Sequence, residues 1–158
     1  MGDKYPQWMG KMRGLTKEEL SQFLAKPYIA RIATLKKDGS PYIVPAWFYY
    51  EEPYFYFVAR AKSVWVEHIK NDPRVAVQIS RDDPPYTRVL VEGLAEIVEG
   101  PIVGGRWVEI ANKMALRYLG ERGPEYLTPT LNRPRYLIRV TPRSLVSWEG
   151  VEWHPRYI

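Results

Sequence analysis

Two basic residues and a serine stand at a junction in the sequence where a strand pattern gives way to a helix pattern. These residues are Arg60, Lys62 and Ser63, and a short helix is predicted directly after them over residues 64–71. A helix N-terminus presents free backbone amides and the positive end of the helix dipole, so it binds phosphate readily. The Ser63 hydroxyl can cap the helix or donate to a phosphate oxygen. The junction therefore predicts either a phosphate site or an ordinary helix cap beside two solvated basic residues.

The rest of the sequence has no combination of residues typical of acid–base or nucleophilic catalysis, so no residue is assigned as catalytic. It contains no nucleophile elbow, no paired-carboxylate signature and no Walker loop. Cysteine is absent and His68 and His154 are the only histidines, which excludes thiolate chemistry, cysteine-ligated zinc and a histidine-rich metal site. If the protein is an enzyme, a cofactor must bring the chemistry.

Composition predicts one globular domain over residues 1–158, with 46% hydrophobic and 26% charged residues. No stretch approaches the roughly 18 apolar residues of a membrane span, and the first residues lack an apolar signal region. We therefore expect a cytoplasmic protein without a membrane association. The net charge of +5 comes from 23 basic residues scattered among 18 acids. One bound phosphate ester explains this excess as well as nucleic acid does, so we rank nucleic-acid binding behind binding of a small molecule.

The elements around the junction are mostly strands. A capping box at Thr16–Glu19 begins a first helix, and apolar spacing predicts another helix over 106–119. Residues 120–134 are expected to be irregular. Pro45 indicates an edge strand or a bulge, and Gly93 a bend or a bulge. Six strands are predicted, over 28–35, 42–50, 54–60, 75–80, 86–98 and 135–140. Closely spaced strands with few helices indicate a mainly β (α+β) fold built as a small barrel.

Several short segments, none specific alone, occur in an order and spacing that extend over about half of the chain. They are Phe23-Leu24, Ala30–Leu35, Asp38–Pro41, Pro45–Phe48, Phe55–Phe57, Lys62-Ser63, Asn71–Val77 and Val89–Ile97. In this order they resemble the flavin mononucleotide (FMN)-binding split barrel of the pyridoxamine 5'-phosphate oxidase-like proteins. The resemblance implies a six-stranded antiparallel split β-barrel with a few peripheral helices. It also implies an FMN-dependent oxidoreductase that acts on a small-molecule substrate of unknown identity.

The same resemblance implies where the flavin binds. It places the cofactor at the interface of a homodimer, so that the two halves of each site come from different chains. The ring would lie along one strand, the phosphate at the Lys62-Ser63 junction, and Arg88 would occupy a polar flavin-contacting position. The barrel residues implied as cofactor contacts are Val44, Pro45, Ala46, Trp47, Ala59, Arg60, Lys62, Ser63 and Arg88.

The end of the chain carries a second resemblance, to the C-terminal segment of the true oxidases. Three segments carry it: Arg139–Pro142, Trp148-Glu149-Gly150 and His154–Tyr157. The resemblance implies Trp148 and Arg156 as flavin contacts and His154 as a residue on the substrate side. The alternative is that Trp148 only packs on the barrel and that His154 and Arg156 are surface residues without a role in binding.

Two departures from the oxidases matter for the chemistry. Val64-Trp65 stands where the oxidases carry a basic pair just inside the short helix, so the phosphate contacts are expected to be rearranged. Glu152 stands where they carry an arginine that binds the substrate. A carboxylate there would repel the phosphate of a vitamin B6 substrate, and we therefore expect a different substrate.

Other functions remain open. A deazaflavin is the closest alternative cofactor, because Pro84-Pro85-Tyr86 before Val89–Gly93 is similar to the deazaflavin-using members of the same superfamily. A second alternative is a non-catalytic flavin- or haem-binding protein, with His68 or His154 as the axial haem ligand. A nucleic-acid-binding or structural protein ranks last, since only charge and aromatic content support it.

Overall fold

The structure is a computed structural model that describes residues 12–151. Glu152, His154 and Arg156 lie outside these residues. The strands are β1 (Arg13–Gly14), β2 (Ala30–Leu35), β3 (Pro41–Ala46), β4 (Tyr49–Glu51), β5 (Tyr54–Arg60), β6 (Arg74–Ser80), β7 (Arg88–Ile102) and β8 (Arg135–Glu149). The helices are α1 (Lys17–Leu24), α2 (Val64–Asn71), α3 (Arg106–Leu119) and α4 (Gly123–Leu127), and a 3-10 turn follows at Thr128–Thr130.

All strands belong to one antiparallel sheet of eight strands, which is rolled around an apolar interior. The order is β3-β2-β6-β7-β8-β5-β4, and the short β1 pairs with the far end of β8. Because β3 and β4 end this order without pairing with each other, the sheet does not close. The arrangement confirms the mainly β, split-barrel fold expected from the sequence.

The six predicted strands are all present, but several of their bounds differ. The strand predicted over 86–98 runs from Arg88 to Ile102, and larger changes affect the strands predicted over 42–50 and 135–140. The segment predicted as one strand over 42–50 is two strands, β3 and β4. The ladder breaks at Trp47-Phe48, where the Phe48 amide donates to the Tyr118 hydroxyl at 3.3 Å instead of to a strand. The last strand, β8, continues to Glu149 because β7 pairs with it along nearly its whole length.

The two local irregularities expected within strands are confirmed. β3, which contains Pro45, is an edge strand, where a missing amide donor costs no ladder hydrogen bond. The register between β7 and β8 shifts between Glu92 and Gly93. A Cβ at Gly93 would overlap the carbonyl oxygen of Thr141, so the close approach of the two strands at this bulge requires glycine.

The prediction that residues 120–134 are irregular is wrong, because this segment contains α4 and the 3-10 turn. Gly123 is buried at the start of α4, and a Cβ there would overlap the carbonyl oxygen of Ala115 in α3. The absence of a side chain therefore lets α4 pack directly on α3. An exposed ion pair between Arg122 and Glu125, at 2.8 Å, adds a contact within the first turn.

Two apolar clusters hold the fold together. The larger fills the barrel interior and includes Phe48, Phe55 and Phe57, all fully buried. The second lies outside the barrel, where α3 and α4 pack against the β5–β8 side through residues such as Trp107 and Met114. Burial of large apolar side chains on both faces of β5 fixes this strand between the two clusters. No helix within residues 12–151 combines the length and the apolar character of a membrane span.

The start of α1 follows a sequence signal, whereas the start of α3 depends on a long-range contact. The capping box of α1 is present, with reciprocal bonds between Thr16 and Glu19 of 3.0 and 3.2 Å. The start of α3 is instead capped from β7, where the Glu99 carboxylate accepts the amides of Arg106 and Trp107 at 3.0 and 2.9 Å. A carboxylate at a helix N-terminus also complements the helix dipole. This contact ties α3 to the sheet.

Candidate functional site

A cavity of about 450 Å³ lies where the open side of the barrel meets α3 and α4. The ends of β3 and β5, the start of α2 and the first residue of β8 contribute the rest of its wall. The residues that line it are Val44, Pro45, Ala46, Trp47, Val58, Ala59, Arg60, Ser63, Trp65, Ala111, Met114, Tyr126, Leu127 and Arg135. Its size is within the range of pockets that hold small ligands and cofactors.

The inner part of the cavity is apolar. Ala59 and Met114 are each only 2% exposed, and Ala111 and Leu127 are also buried. The small side chains come from β5 and α3, so space is left between the sheet and the helix. This part of the cavity is suited to a ring system that is desolvated when it binds.

An aromatic wall stands on one side. The Trp47 ring is stacked on Tyr118 of α3, with centroids 4.8 Å apart and planes 8° apart. Tyr126 of α4 lies 6.0 Å from Trp47 at a tilt of 51°. The Tyr118 hydroxyl donates to the Tyr28 carbonyl at 2.7 Å and accepts the Phe48 amide, so two hydrogen bonds at this hydroxyl hold the ring against which Trp47 packs.

The mouth of the cavity is basic. Arg60 and Arg135 are register partners on β5 and β8. Burial and the nearby positive charges of Arg60 and Arg133 lower the pKa of the Arg135 guanidinium below its ordinary value. No carboxylate within residues 12–151 forms an ion pair with Arg60 or Arg135. This rim is therefore suited to an anion.

The start of α2 adds a polar group to the same rim. Ser63 is the N-cap residue, as predicted, with an extended backbone, but its side chain makes no capping hydrogen bond. Its carbonyl oxygen accepts the Val66 amide at 3.2 Å. The helix therefore does not use this hydroxyl, and Ser63 is one of the residues that line the cavity.

The structure brings most of the predicted barrel contacts together in one place. Val44, Pro45, Ala46, Trp47, Ala59, Arg60 and Ser63 all line the cavity. Lys62 is exposed between Arg60 and Ser63 and does not line it. The edge strand β3 also has backbone groups without a strand partner on this side, which can bond the polar edge of a planar ring.

Two other predicted contacts, Arg88 and Trp148, lie elsewhere in the chain. They are register partners on β7 and β8, and the Arg88 guanidinium carbon is 5.5 Å from the centroid of the Trp148 ring. Arg88 also donates to the Gly150 carbonyl at 3.3 Å. Trp148 and the cavity-lining Arg135 occupy opposite ends of β8, which has 15 residues. The predicted contacts His154 and Arg156 lie outside the described residues.

Sequence reasoning missed about half of the cavity wall. Ala111 and Met114 lie in the helix predicted over 106–119, whose apolar spacing does not by itself indicate a cavity. Tyr126 and Leu127 belong to α4, which was not predicted. Arg135 begins a predicted strand, but its position opposite Arg60 depends on a pairing between strands far apart in the chain.

His68, considered as a haem ligand, does not line this cavity. Its Nδ1 lies 2.9 Å from the Thr34 hydroxyl, and its ring packs edge-on against Tyr42 with centroids 5.1 Å apart. His68 therefore packs between α2 and the sheet, and nothing in this geometry favours haem ligation by it.

Comparison with known proteins decides the family. A family model described as pyridoxamine 5'-phosphate oxidase matches residues 16–149. The chain belongs to this family. The match spans nearly all of the described fold and confirms the resemblance inferred from the short segments. No curated protein matches the chain.

Several solved structures share the fold of this family member. The conserved hypothetical protein Rv2991 from Mycobacterium tuberculosis is 25% identical with a TM-score of 0.73, over 89% of this chain and 90% of that one. A structure named F420 reductase is 26% identical with a TM-score of 0.62, over 79% and 94%. A FAD-binding protein from Mesorhizobium loti is 21% identical with a TM-score of 0.63, over 89% and 99%. This last likeness shows the fold alone.

Proposed function

We propose that this protein is an FMN-dependent oxidoreductase whose cofactor binds in the cavity between β3, β5 and the α3–α4 pair. The proposal rests on one observation, which is the way that apolar and charged residues are distributed in this cavity. Its inner part is apolar and aromatic, and its mouth carries Arg60, Arg135 and Ser63. A planar ring with a phosphorylated side chain has the same distribution of polarity.

The residues present fit such a group. Trp47 and the backbone of the edge strand β3 would bind the ring, with Ala46 and Ala59 leaving room for it. Arg60 and Ser63 would bind the phosphate, and Lys62 would add positive charge nearby. When bound, the isoalloxazine ring carries the electrons, while the protein supplies orientation and excludes water.

A deazaflavin is a second candidate cofactor in the same cavity. Two observations favour it: the likeness to the structure named F420 reductase, at 26% identity, and the Pro84-Pro85-Tyr86 turn before β7. Both ring systems are planar and both carry a phosphorylated side chain, so the cavity geometry alone fits either. The substrate of the proposed enzyme is a small molecule of unassigned class. The cytoplasmic location of the protein stays a prediction.

We further propose that the active unit is a homodimer in which each cavity is completed by the partner chain. The outer face of the sheet carries exposed apolar side chains, among them Ile43 (65% exposed) and the register partners Leu90 and Val146. Side chains alternate along a strand, so Arg88 and Trp148 belong to the same face. A second copy packed on this face would bury the apolar groups and bring a second set of these polar and aromatic contacts toward the cavity.

A binding titration with a cavity-filling variant tests the cofactor proposal. Purified protein is titrated into FMN and, separately, into the deazaflavin coenzyme F420, and quenching of cofactor fluorescence is followed. We expect saturable binding of one of them, with one cofactor per chain. Ala46→Phe places a ring in the cavity from an edge strand and should abolish the binding.

Leu116→Phe is the control, because Leu116 is 49% exposed on α3 and does not line the cavity. It should bind like the wild type. Absence of saturable binding for both cofactors would contradict the proposed function. Unchanged binding by a folded Ala46→Phe variant would show that the cofactor lies elsewhere.

A further inference from the structure

Arg135 and Arg60 form a pair of like charges at the mouth of the cavity. They are directly opposite each other on β8 and β5, a position in which like charges destabilise a sheet. Neither forms an ion pair with a carboxylate within residues 12–151. An anion bound between the two guanidinium groups would remove this repulsion.

Arg135 is held in place by several contacts rather than left mobile. It donates to the Thr130 carbonyl at 2.9 Å and to the Thr130 hydroxyl at 2.7 Å. Its guanidinium carbon lies 4.7 Å from the centroid of the Trp107 ring, which is fully buried. A guanidinium that is already ordered loses little conformational entropy when it binds a ligand.

The first turn of α2 lacks the positive charge that a phosphate there would need. Val64 is 50% exposed and Trp65 is buried, so neither contributes a cation. Ser63 supplies a hydroxyl and Arg60 one positive charge. Lys62 is exposed and does not line the cavity. Within residues 12–151, Arg135 is the second cation that lines it.

We infer that Arg135 is a phosphate-binding residue of this protein, which acts with Arg60 and Ser63 on the phosphate of the cofactor. Val64 and Trp65 stand in α2 where the oxidases carry a basic pair, and Arg135 would supply the positive charge that this pair supplies there. This inference rests on the proposed function. It assigns to β8 a role in selecting a phosphorylated cofactor over the same ring system without its phosphate.

Comparison of FMN with riboflavin isolates the phosphate contact. Fluorescence titrations give the dissociation constants of both ligands for the wild type, Arg135→Gln, Arg135→Lys and Arg133→Gln. We expect Arg135→Gln to weaken FMN binding by roughly tenfold to hundredfold, the range for one charge-assisted hydrogen-bonding group. Riboflavin binding should stay unchanged, and Arg135→Lys should recover part of the FMN affinity. If F420 is the ligand, the same comparison uses F420 and its phosphate-free precursor.

Arg133→Gln is the matched control, because it removes an equal charge from an exposed position two residues away. It should change FMN affinity much less than Arg135→Gln does. Equal losses in the two variants would show a general charge effect and overturn the inference. A loss of FMN and riboflavin affinity by the same factor in Arg135→Gln would assign Arg135 a structural role, which also overturns it.

Failure of the proposed function gives a different result. If the wild type binds neither FMN nor F420, both the proposed function and the inference are wrong. If the wild type binds FMN and Arg135→Gln binds it equally well, only the inference is wrong. Circular dichroism of each variant establishes that the folded protein is compared, and Arg135→Lys serves where Arg135→Gln does not fold.

Discussion

Trp47 is stacked on Tyr118, with ring centroids 4.8 Å apart and ring planes only 8° from parallel. This contact joins the end of the edge strand β3 to α3. It stands at the break in the chain between β3 and β4, and it forms one wall of the candidate cofactor cavity. The position of Trp47 therefore depends on α3 as much as on the sheet.

Removing the Tyr118 hydroxyl should destabilise the fold without removing this stack. In Tyr118→Phe the Tyr28 carbonyl loses a 2.7 Å bond and the Phe48 amide loses its acceptor. We expect the free energy of unfolding in urea to fall by about 1–3 kcal/mol, the cost of partly buried groups left without a partner. Tyr126→Phe is the control, because Tyr126 is 61% exposed, and it should unfold like the wild type. Equal stability of Tyr118→Phe and wild type would contradict this account of the Tyr118 hydroxyl.

Gly123→Ala should displace α4 and weaken cofactor binding. The new Cβ would overlap the Ala115 carbonyl oxygen, so α4 has to move away from α3. Because α4 carries Tyr126 and Leu127 into the cavity, we expect weaker FMN binding together with roughly 1–3 kcal/mol of destabilisation. Calorimetry and fluorescence titration measure the two effects.

Gly14→Ala is the matched control for this substitution. A Cβ at Gly14 would be 3.7 Å from the Ser147 carbonyl oxygen, an ordinary contact distance. Its FMN affinity should equal that of the wild type. If Gly123→Ala also binds FMN normally, α4 is not part of the cofactor site.

The ion pair between Glu19 and Arg13 should make stability depend on pH in the acid range. Hydrogen bonds from Arg13 and from the Thr16 amide lower the pKa of Glu19 from 4.5 to about 2. Because the folded-state pKa lies below the unfolded value, the contribution is fully present above pH 4.5 and is lost as the pH falls toward 2.

Comparison of the wild type with Glu19→Gln checks this prediction. The variant keeps the size of the side chain and lacks the titrating carboxylate. We expect the difference in melting temperature between the two proteins to be constant above about pH 5, and to shrink between pH 4.5 and 2. High salt should reduce the difference, because the groups are exposed. A difference that does not change with pH would assign the effect to packing.

Leu90→Arg should separate the proposed homodimer and lower its cofactor affinity. Leu90 is 37% exposed opposite Val146 on the outer face of the sheet. Two arginines buried at a symmetric interface would repel each other and lose water. We expect a monomer by light scattering on a sizing column, and weaker FMN binding because the partner's contacts are lost. Leu116→Arg, on α3, should leave the assembly intact, whereas a monomeric wild type would overturn the dimer proposal.

The sequence predicted those features of the fold that depend on a few neighbouring residues. The capping box at Thr16 and Glu19, the N-cap at Ser63 and the bulge at Gly93 each depend on a few neighbouring residues, and the structure contains all three. The edge position of β3 also followed from Pro45. These signals fixed the start of α2 and the ends of the strands around the cavity.

Contacts between segments that are far apart in the chain could not be predicted from the sequence. The pairing of Arg60 with Arg135 depends on the β5–β8 register, and the packing of α4 depends on a close approach between Gly123 and Ala115. The break at Trp47-Phe48 depends on the Tyr118 hydroxyl, about 70 residues later in the chain. Such contacts leave no periodic pattern in the sequence, so half of the cavity wall could not be predicted.

A visible absorption spectrum tests the central claim most directly. The purified protein is incubated with FMN or F420, desalted, and its spectrum is compared with that of Ala46→Phe treated in the same way. The account predicts that the wild type retains the absorption bands of one cofactor at one equivalent per chain, and that the cavity-filling variant loses them. A wild-type protein that emerges colourless from both incubations would contradict the account.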